Sequence, residues 1–177
     1  MTLAQASLAL AAFLAAAVAL VAFRPGALVA LRRSRVAGAV LGLAAVALLG
    51  WHLLNLPEPD LAGFPRLPVL AVFVLGGLAA FVWMPDLLPI RALGCLMMFL
   101  ARAVLDAGWM QLPHSLTNAV LSYALLVVPG LWWAASPGAF VRQTDGLLAR
   151  PPLRKAVAGL LLAAAVAALL SWIRAPR

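Results

Sequence analysis

Six apolar stretches separated by short polar segments make up most of the chain. A bilayer core about 30 Å thick requires roughly 20 apolar residues in a helix that crosses it. The stretches approach or reach this length, and the third and the sixth, with 17 residues each, are the shortest. The pattern predicts an all-α, polytopic membrane protein with about six transmembrane helices. The predicted spans cover residues 3–23, 36–56, 68–84, 88–109, 116–135 and 157–173.

The first and last pairs of spans share a sequence pattern at their connection. Residues 25–29 read Pro-Gly-Ala-Leu-Val and residues 137–141 read Pro-Gly-Ala-Phe-Val, and basic residues, a Val-Ala-Gly triplet and a tryptophan follow both. Proline ends the preceding helix because it cannot donate the next backbone hydrogen bond. The pair of spans in the centre of the chain matches this pattern more weakly. We therefore interpret the chain as one transmembrane domain, residues 1–177, that consists of three parallel helical hairpins. The alternative is chance similarity between Ala- and Leu-rich helices. The hairpins cover about residues 1–56, 64–113 and 114–177.

Pairs of small residues spaced four apart occur in three of the predicted spans. Such pairs lie on one face of a helix and let the backbones of two helices approach closely. They predict helix packing, either within the chain or against another subunit, although Ala-rich helices also produce such pairs by accident. The predicted packing residues are Gly38, Gly42, Gly76, Ala80, Gly159 and Ala163.

Composition and charge support a membrane location and suggest an orientation. Hydrophobic residues make up 66% of the chain and charged residues 10%, whereas soluble domains are about 45–50% apolar and about 25% charged. Thirteen Lys and Arg against five Asp and Glu give a net charge of +8. Because basic residues favour cytoplasmic loops, we expect loops 24–35 and 136–155 to be cytoplasmic in a bacterial-type inner membrane, with both termini outside. Arg24 follows the first apolar stretch, which fits an uncleaved anchor rather than a signal peptide.

Ionisable residues within the spans concentrate in the fourth one. Arg91, Cys95, Met98, Arg102 and Asp106 are spaced by three or four residues and therefore share one helical face. Charged groups within a membrane are costly, so they are candidates for a functional site by default. One interpretation is a groove whose two guanidinium groups bind an anionic head group or carboxylate. The other is structural: one arginine reaches the nearer interface, and the second pairs with the aspartate one turn away.

The remaining polar residues give little support to catalysis or cofactor binding. Sequence motifs for nucleotide binding, zinc proteases, redox dithiols or serine hydrolases are missing, so we expect no enzyme and no cofactor. His52 and His114 are weak candidates for metal or haem ligands because no ligand spacing supports them.

These observations favour a non-enzymatic accessory or scaffold subunit of a larger membrane complex. Its expected partners are lipids and other membrane subunits or further copies of the chain, and no nucleic acid. The first alternative is a small transporter or an anion- or lipid-binding protein that uses the polar face of the fourth span. The second alternative is a haem- or pigment-carrying subunit.

Overall fold

The chain folds into α-helices joined by short connections. A computed structural model describes residues 1–57, 61, 63–83 and 87–174, except for the side chains of residues 80–82. Helices account for 87% of the residues, and no strand is present in these ranges. In chain order the helices are α1 (Leu3–Phe23), α2 (Pro25–Arg33), α3 (Arg35–Leu54), α4 (Arg66–Trp83), α5 (Leu88–Ala107), α6 (Leu116–Ala135), α7 (Pro137–Ala149) and α8 (Pro151–Arg174).

The predicted all-helical fold is confirmed, and several apolar helices indicate a multi-pass helical membrane protein. In the described part of the chain, α1, α3, α5, α6 and α8 are long and apolar enough to cross a membrane. Helix α4 is apolar too, but its stretch Arg66–Ala79 is shorter than a span requires. The arrangement of six spans is therefore not confirmed.

Local sequence signals explain where several helices begin. Thr2 caps α1 in a reciprocal capping box: the backbone N–H of Gln5 donates to Thr2 Oγ1 at 3.2 Å, and the backbone N–H of Thr2 donates to Gln5 Oε1 at 3.0 Å. Ser34 caps α3 through its Oγ, which accepts from the Ala37 N–H at 3.1 Å. Helices α2 and α7 each begin with proline, which lacks the N–H that would otherwise be unpaired in a first turn.

The core forms where α1, α5, α6 and α8 meet. Helices α1 and α8 share the most extensive interface of the bundle. The small side chains that α8 contributes allow the two helix axes to approach closely, so that leucines of α1 fill the space between them. The buried cluster consists of Ala6, Leu10, Ala11, Leu14, Met97, Ala101, Val104, Leu126, Ala164, Ala165 and Ala168.

Helix α6 contains a π-helical turn at Tyr123–Val127, directly before Pro129. A proline inside a helix removes one hydrogen bond and its ring clashes with the carbonyl group four residues earlier. A π turn widens the helix locally and relieves this clash. The helix therefore continues through Pro129 and Gly130 to Ala135.

The connections 24–35 and 136–155 are largely helical rather than loops, and their helices α2 and α7 meet. Arg32 Nη2 lies 2.9 Å from Asp145 Oδ1, and Arg32 Nη1 lies 3.5 Å from Thr144 Oγ1. Trp133 of α6 anchors α7, because its Nε1–H donates to Gln143 Oε1 at 2.9 Å. The two segments that share the Pro-Gly-Ala pattern thus lie at the same end of the bundle.

The helix contacts do not follow the predicted hairpins. Helix α1 packs mainly against α8, whereas α3 packs against α4 and α5. The two spans of the first predicted hairpin are therefore not each other's main partners. Tertiary packing rather than chain order decides which apolar faces meet, and the arrangement as three hairpins is not confirmed.

Candidate functional site

A groove with a cavity of about 490 Å³ lies between α3, α4 and α5. Carbon atoms form nearly all of its wall, and an arginine stands towards either end of its α5 side. This volume is within the range of about 300–1,000 Å³ that small-molecule sites occupy. The groove is lined by Gly42, Ala45, Val46, Leu49, Phe73, Gly77, Leu88, Arg91, Ala92, Cys95, Met98, Phe99 and Arg102.

The lining residues of each helix recur at helical spacing, so that each helix contributes one face. From α5 these are the predicted polar residues Arg91, Cys95, Met98 and Arg102 together with their apolar neighbours. Asp106, the last residue of the predicted stripe, does not line the cavity. The structure thus brings four of the five stripe residues to one groove.

Two glycine contacts hold α3 close to its neighbours. A Cβ atom on Gly38 would lie 3.3 Å from the ring of Pro89 at the start of α5. On α4, a Cβ on Gly77 would lie 2.8 Å from Val46 Cγ2. The groove is therefore framed by close contact of α3 with α5 at one end and with α4 along its side.

Arg91 lies one turn inside α5, at the end of the groove close to α2. Its Nη1–H donates to the backbone carbonyl of Ala134 in α6 at 3.0 Å. Its Nε is buried and has no hydrogen-bond partner among the described residues. No carboxylate of the described chain lies within ion-pair distance of this guanidinium group. Asp86 lies outside the described residues. Arg91 is thus a cation whose observed partner is a neutral carbonyl group.

Arg102 lies towards the opposite end of the groove and has a different environment. Its Nε is 3.3 Å from Asp106 Oδ2, one turn further along α5. The side chains of Arg102 and Asp106 are 51% and 68% exposed, so both are accessible from outside the bundle. The structure therefore contains the predicted pairing of these residues, and the two arginines of the stripe are not equivalent.

Helix α5 is held from its other side by a glycine contact that the sequence analysis did not single out. A Cβ on Gly94 would lie 2.5 Å from the carbonyl oxygen of Gly130 and 2.9 Å from the backbone N of Ala134. The backbones of α5 and α6 therefore touch here, one turn from Arg91. Gly94 has no small residue four positions away in α5 to mark it.

The other residues predicted to pack lie in varied environments. Gly42 is buried in the groove wall. Gly76 and Gly159 have open space where a Cβ would stand, and Ala163 is exposed. Among the described residues, nothing packs against these positions of Gly76 and Gly159, and Ala163 faces outwards. The side chain of Ala80 lies outside the described residues.

The two histidines are not gathered into a ligand cluster. His52 is half-buried in the last turn of α3, and its Nε2 has no partner among the described residues. His114 is exposed in the connection before α6. The part of the chain that the structure describes contains no group of three or more His, Cys, Asp or Glu residues placed to hold a metal ion.

Comparison with known proteins gives no guide to the role of the groove. No protein-family model, no curated protein and no solved structure matches the chain.

Proposed function

We propose that this protein is a non-enzymatic, multi-pass membrane protein that binds the hydrocarbon chain of a membrane amphiphile in the groove between α3, α4 and α5. The observation that supports this proposal is the groove itself, which has a volume of about 490 Å³, an apolar wall and arginines at both ends of its α5 face. Apolar walls with a few placed polar groups are typical of sites that hold an amphiphile.

The length of the groove fits one hydrocarbon chain. From Arg91 to Arg102 the rise of the helix gives about 16 Å. Half of a bilayer core of about 30 Å is ~15 Å, which is the depth that one layer of lipid chains occupies. A chain in the groove would therefore run alongside α5 over the depth of one leaflet. The side chains that line it supply packing and positive charge, which suits holding a ligand rather than chemistry.

Cys95 offers a direct test because it lines the groove and is the single cysteine of the sequence. The protein is reconstituted in phosphatidylcholine vesicles, and the rate of Cys95 alkylation by N-ethylmaleimide is followed by intact-mass spectrometry. We expect a single-chain amphiphile with a hexadecyl tail, added in increasing amounts, to slow alkylation in a saturable way. A rate that no hexadecyl amphiphile changes would rule out the proposed function.

Two matched substitutions on α3 separate the groove from the lipid-facing surface. Ala45 lines the groove, whereas Ala47 is exposed on the outer face. Ala45→Phe should fill the cavity, lower the initial alkylation rate and remove any further effect of amphiphile. Ala47→Phe adds the same side chain outside the groove and should behave like the unchanged protein. If both variants keep saturable protection, the amphiphile binds elsewhere.

The orientation and assembly of the helices belong to the same proposal. In it, α4 completes six spans arranged as three hairpins in a bacterial-type inner membrane, loops 24–35 and 136–155 are cytoplasmic, and both termini are outside. Four basic residues between α1 and the first turn of α3 support this orientation through the preference of cations for the cytoplasmic side.

A role as an accessory subunit is the second candidate. It is favoured by the outward position of Gly76 and Gly159, where a neighbouring helix of another subunit would meet no Cβ atom. Ile at both positions would then break an assembly, and an assembly that persists would exclude packing through these glycines.

A further inference from the structure

We infer that the amphiphile held in the groove is anionic, with its acidic group at Arg91 and its hydrocarbon chain directed towards Arg102. This inference rests on the proposed function and adds the charge and the polarity of the ligand. Its basis is the different environment of the two arginines, which share a helix face and a groove.

The Arg91 end has positive charge that the described residues do not compensate. The described carboxylates, Asp106 and Asp145, each lie beside another arginine, and Arg91 donates to a neutral carbonyl at 3.0 Å. Its buried Nε–H has no hydrogen-bond partner among the described residues. A carboxylate or phosphate accepts from guanidinium N–H groups in charge-assisted hydrogen bonds, which are stronger than bonds between neutral groups.

The position of Arg91 in its helix reinforces this preference. It lies within one turn of the start of α5 at Leu88, and the N-terminal end of a helix carries a partial positive charge that stabilises nearby anions. An isolated cation within a membrane protein is costly unless it is paired. Binding an anionic group here would give Arg91 the charged partner that it lacks among the described residues.

The Arg102 end lacks these properties. The guanidinium group already faces the Asp106 carboxylate at 3.3 Å, and both side chains are more than half exposed. An anion at this end would have to compete with Asp106 for the guanidinium group. The groove therefore favours a ligand with one acidic end rather than an anion held by both arginines.

The test uses the Cys95 alkylation assay in phosphatidylcholine vesicles with three probes: hexadecyl phosphate, hexadecanol and inorganic phosphate. In the unchanged protein, we expect hexadecyl phosphate to protect Cys95 at an apparent dissociation constant at least about tenfold lower than that of hexadecanol, as for a hydrogen bond to a charged group. Inorganic phosphate, which lacks the hydrocarbon chain, should give no protection. Hexadecanoic acid, used as a fourth probe, should resemble hexadecyl phosphate, because both head groups are anionic acceptors.

Substitutions at the two arginines locate the acidic group. Arg91→Gln should bring the apparent dissociation constants of hexadecyl phosphate and hexadecanol to within about twofold, whereas Arg91→Lys keeps the charge and most of the preference. Arg102→Gln changes the other end of the groove: it can alter the affinity for both amphiphiles, but the ratio of their apparent dissociation constants should stay the same. Loss of preference in Arg102→Gln but not in Arg91→Gln would overturn the stated polarity.

The outcomes distinguish this inference from the function on which it rests. If hexadecyl phosphate and hexadecanol protect Cys95 equally in the unchanged protein, the groove binds amphiphiles but the inferred anion preference is wrong. If neither protects, the proposed function fails as well. Protection by inorganic phosphate alone would overturn both, because it would show a phosphate site without a hydrocarbon-chain site. The comparison of probes on the unchanged protein gives this answer even if Arg91→Gln does not fold.

Discussion

Replacing Gly94 with alanine should destabilise the helix bundle, although alanine is the better helix former. The new Cβ would stand 2.5 Å from the carbonyl oxygen of Gly130 and 2.9 Å from the backbone N of Ala134. Both atoms belong to the backbone of α6, so no side chain can rotate away. Ordinary van der Waals contact begins at 3.4 Å, which requires α5 and α6 to move apart by about 0.9 Å.

The expected loss of stability in Gly94→Ala follows from this separation of the two helices. Inserting a methyl group into a well-packed interface costs roughly 1–3 kcal/mol, and a gap of this size forfeits about a quarter to a half of the dispersion energy of the contacts it opens. Alanine instead of glycine favours the helix by about 1 kcal/mol where there is space. At Gly159 and Gly76 an added Cβ would meet nothing within 4 Å. Gly159→Ala and Gly76→Ala are therefore matched controls, for which we expect an unchanged or higher free energy of unfolding.

The assay is thermal unfolding in one detergent, followed by tryptophan fluorescence. For a protein of this size about 1 kcal/mol corresponds to roughly 2–4 °C in Tm. We expect Gly94→Ala to lower Tm by several degrees and to weaken hexadecyl phosphate protection of Cys95, since Arg91 and α6 shift together. The two controls should keep or raise Tm. Equal Tm values for Gly94→Ala and Gly159→Ala would refute the close contact of α5 with α6.

Two further predictions concern the end of the bundle formed by α2 and α7. The first is a double-mutant cycle with Arg32→Ala and Asp145→Ala, measured by the same thermal assay. We expect a coupling energy of up to about 1 kcal/mol, because Asp145 is 54% exposed. Zero coupling would mean that the pair does not hold the two helices together. In a Cys95→Ala background, cysteines at the exposed positions 33 and 143 should both resist a membrane-impermeant maleimide in intact cells and react in inverted vesicles. Labelling in intact cells would reverse the orientation, and opposite results at the two positions would contradict the contact of α2 with α7.

The sequence predicts the positions of the long apolar helices and the shared face of α5, because both depend on local patterns, whereas the short helices α2 and α7 lie in segments expected to be loops. The length of each apolar run predicts a helix, and spacings of three and four bring Arg91, Cys95, Met98 and Arg102 to one side. What this side faces was not predictable in the same way. The opposite wall of the groove belongs to α3 and α4, and only tertiary packing decides which of their faces meet α5.

The choice of packing glycines illustrates the same limit. Gly76 and Gly77 are adjacent in sequence and point about 100° apart on a helix. The spacing to Ala80 favoured Gly76, whereas the structure places Gly77 against Val46 of α3. Gly94 was not singled out because the residue it contacts, Gly130, lies in another helix, so that no spacing within α5 marks the contact. A pattern within one helix shows which residues share a face, but it does not show which other helix packs against that face.

The pairing of α1 with α8 has a consequence for the synthesis of the protein. Helix α1 leaves the ribosome before α8, and this main partner is made only after more than a hundred further residues. At ribosomal rates of about 5–20 residues per second this interval is on the order of ten seconds. During it, the face of α1 that carries Ser7, Leu10 and Leu14 is bordered by lipid, by an insertion factor or by the helices already made. Membrane insertion of α1 and formation of its main helix contact are therefore separate events in time, and the core around α1 is completed only when α8 is inserted.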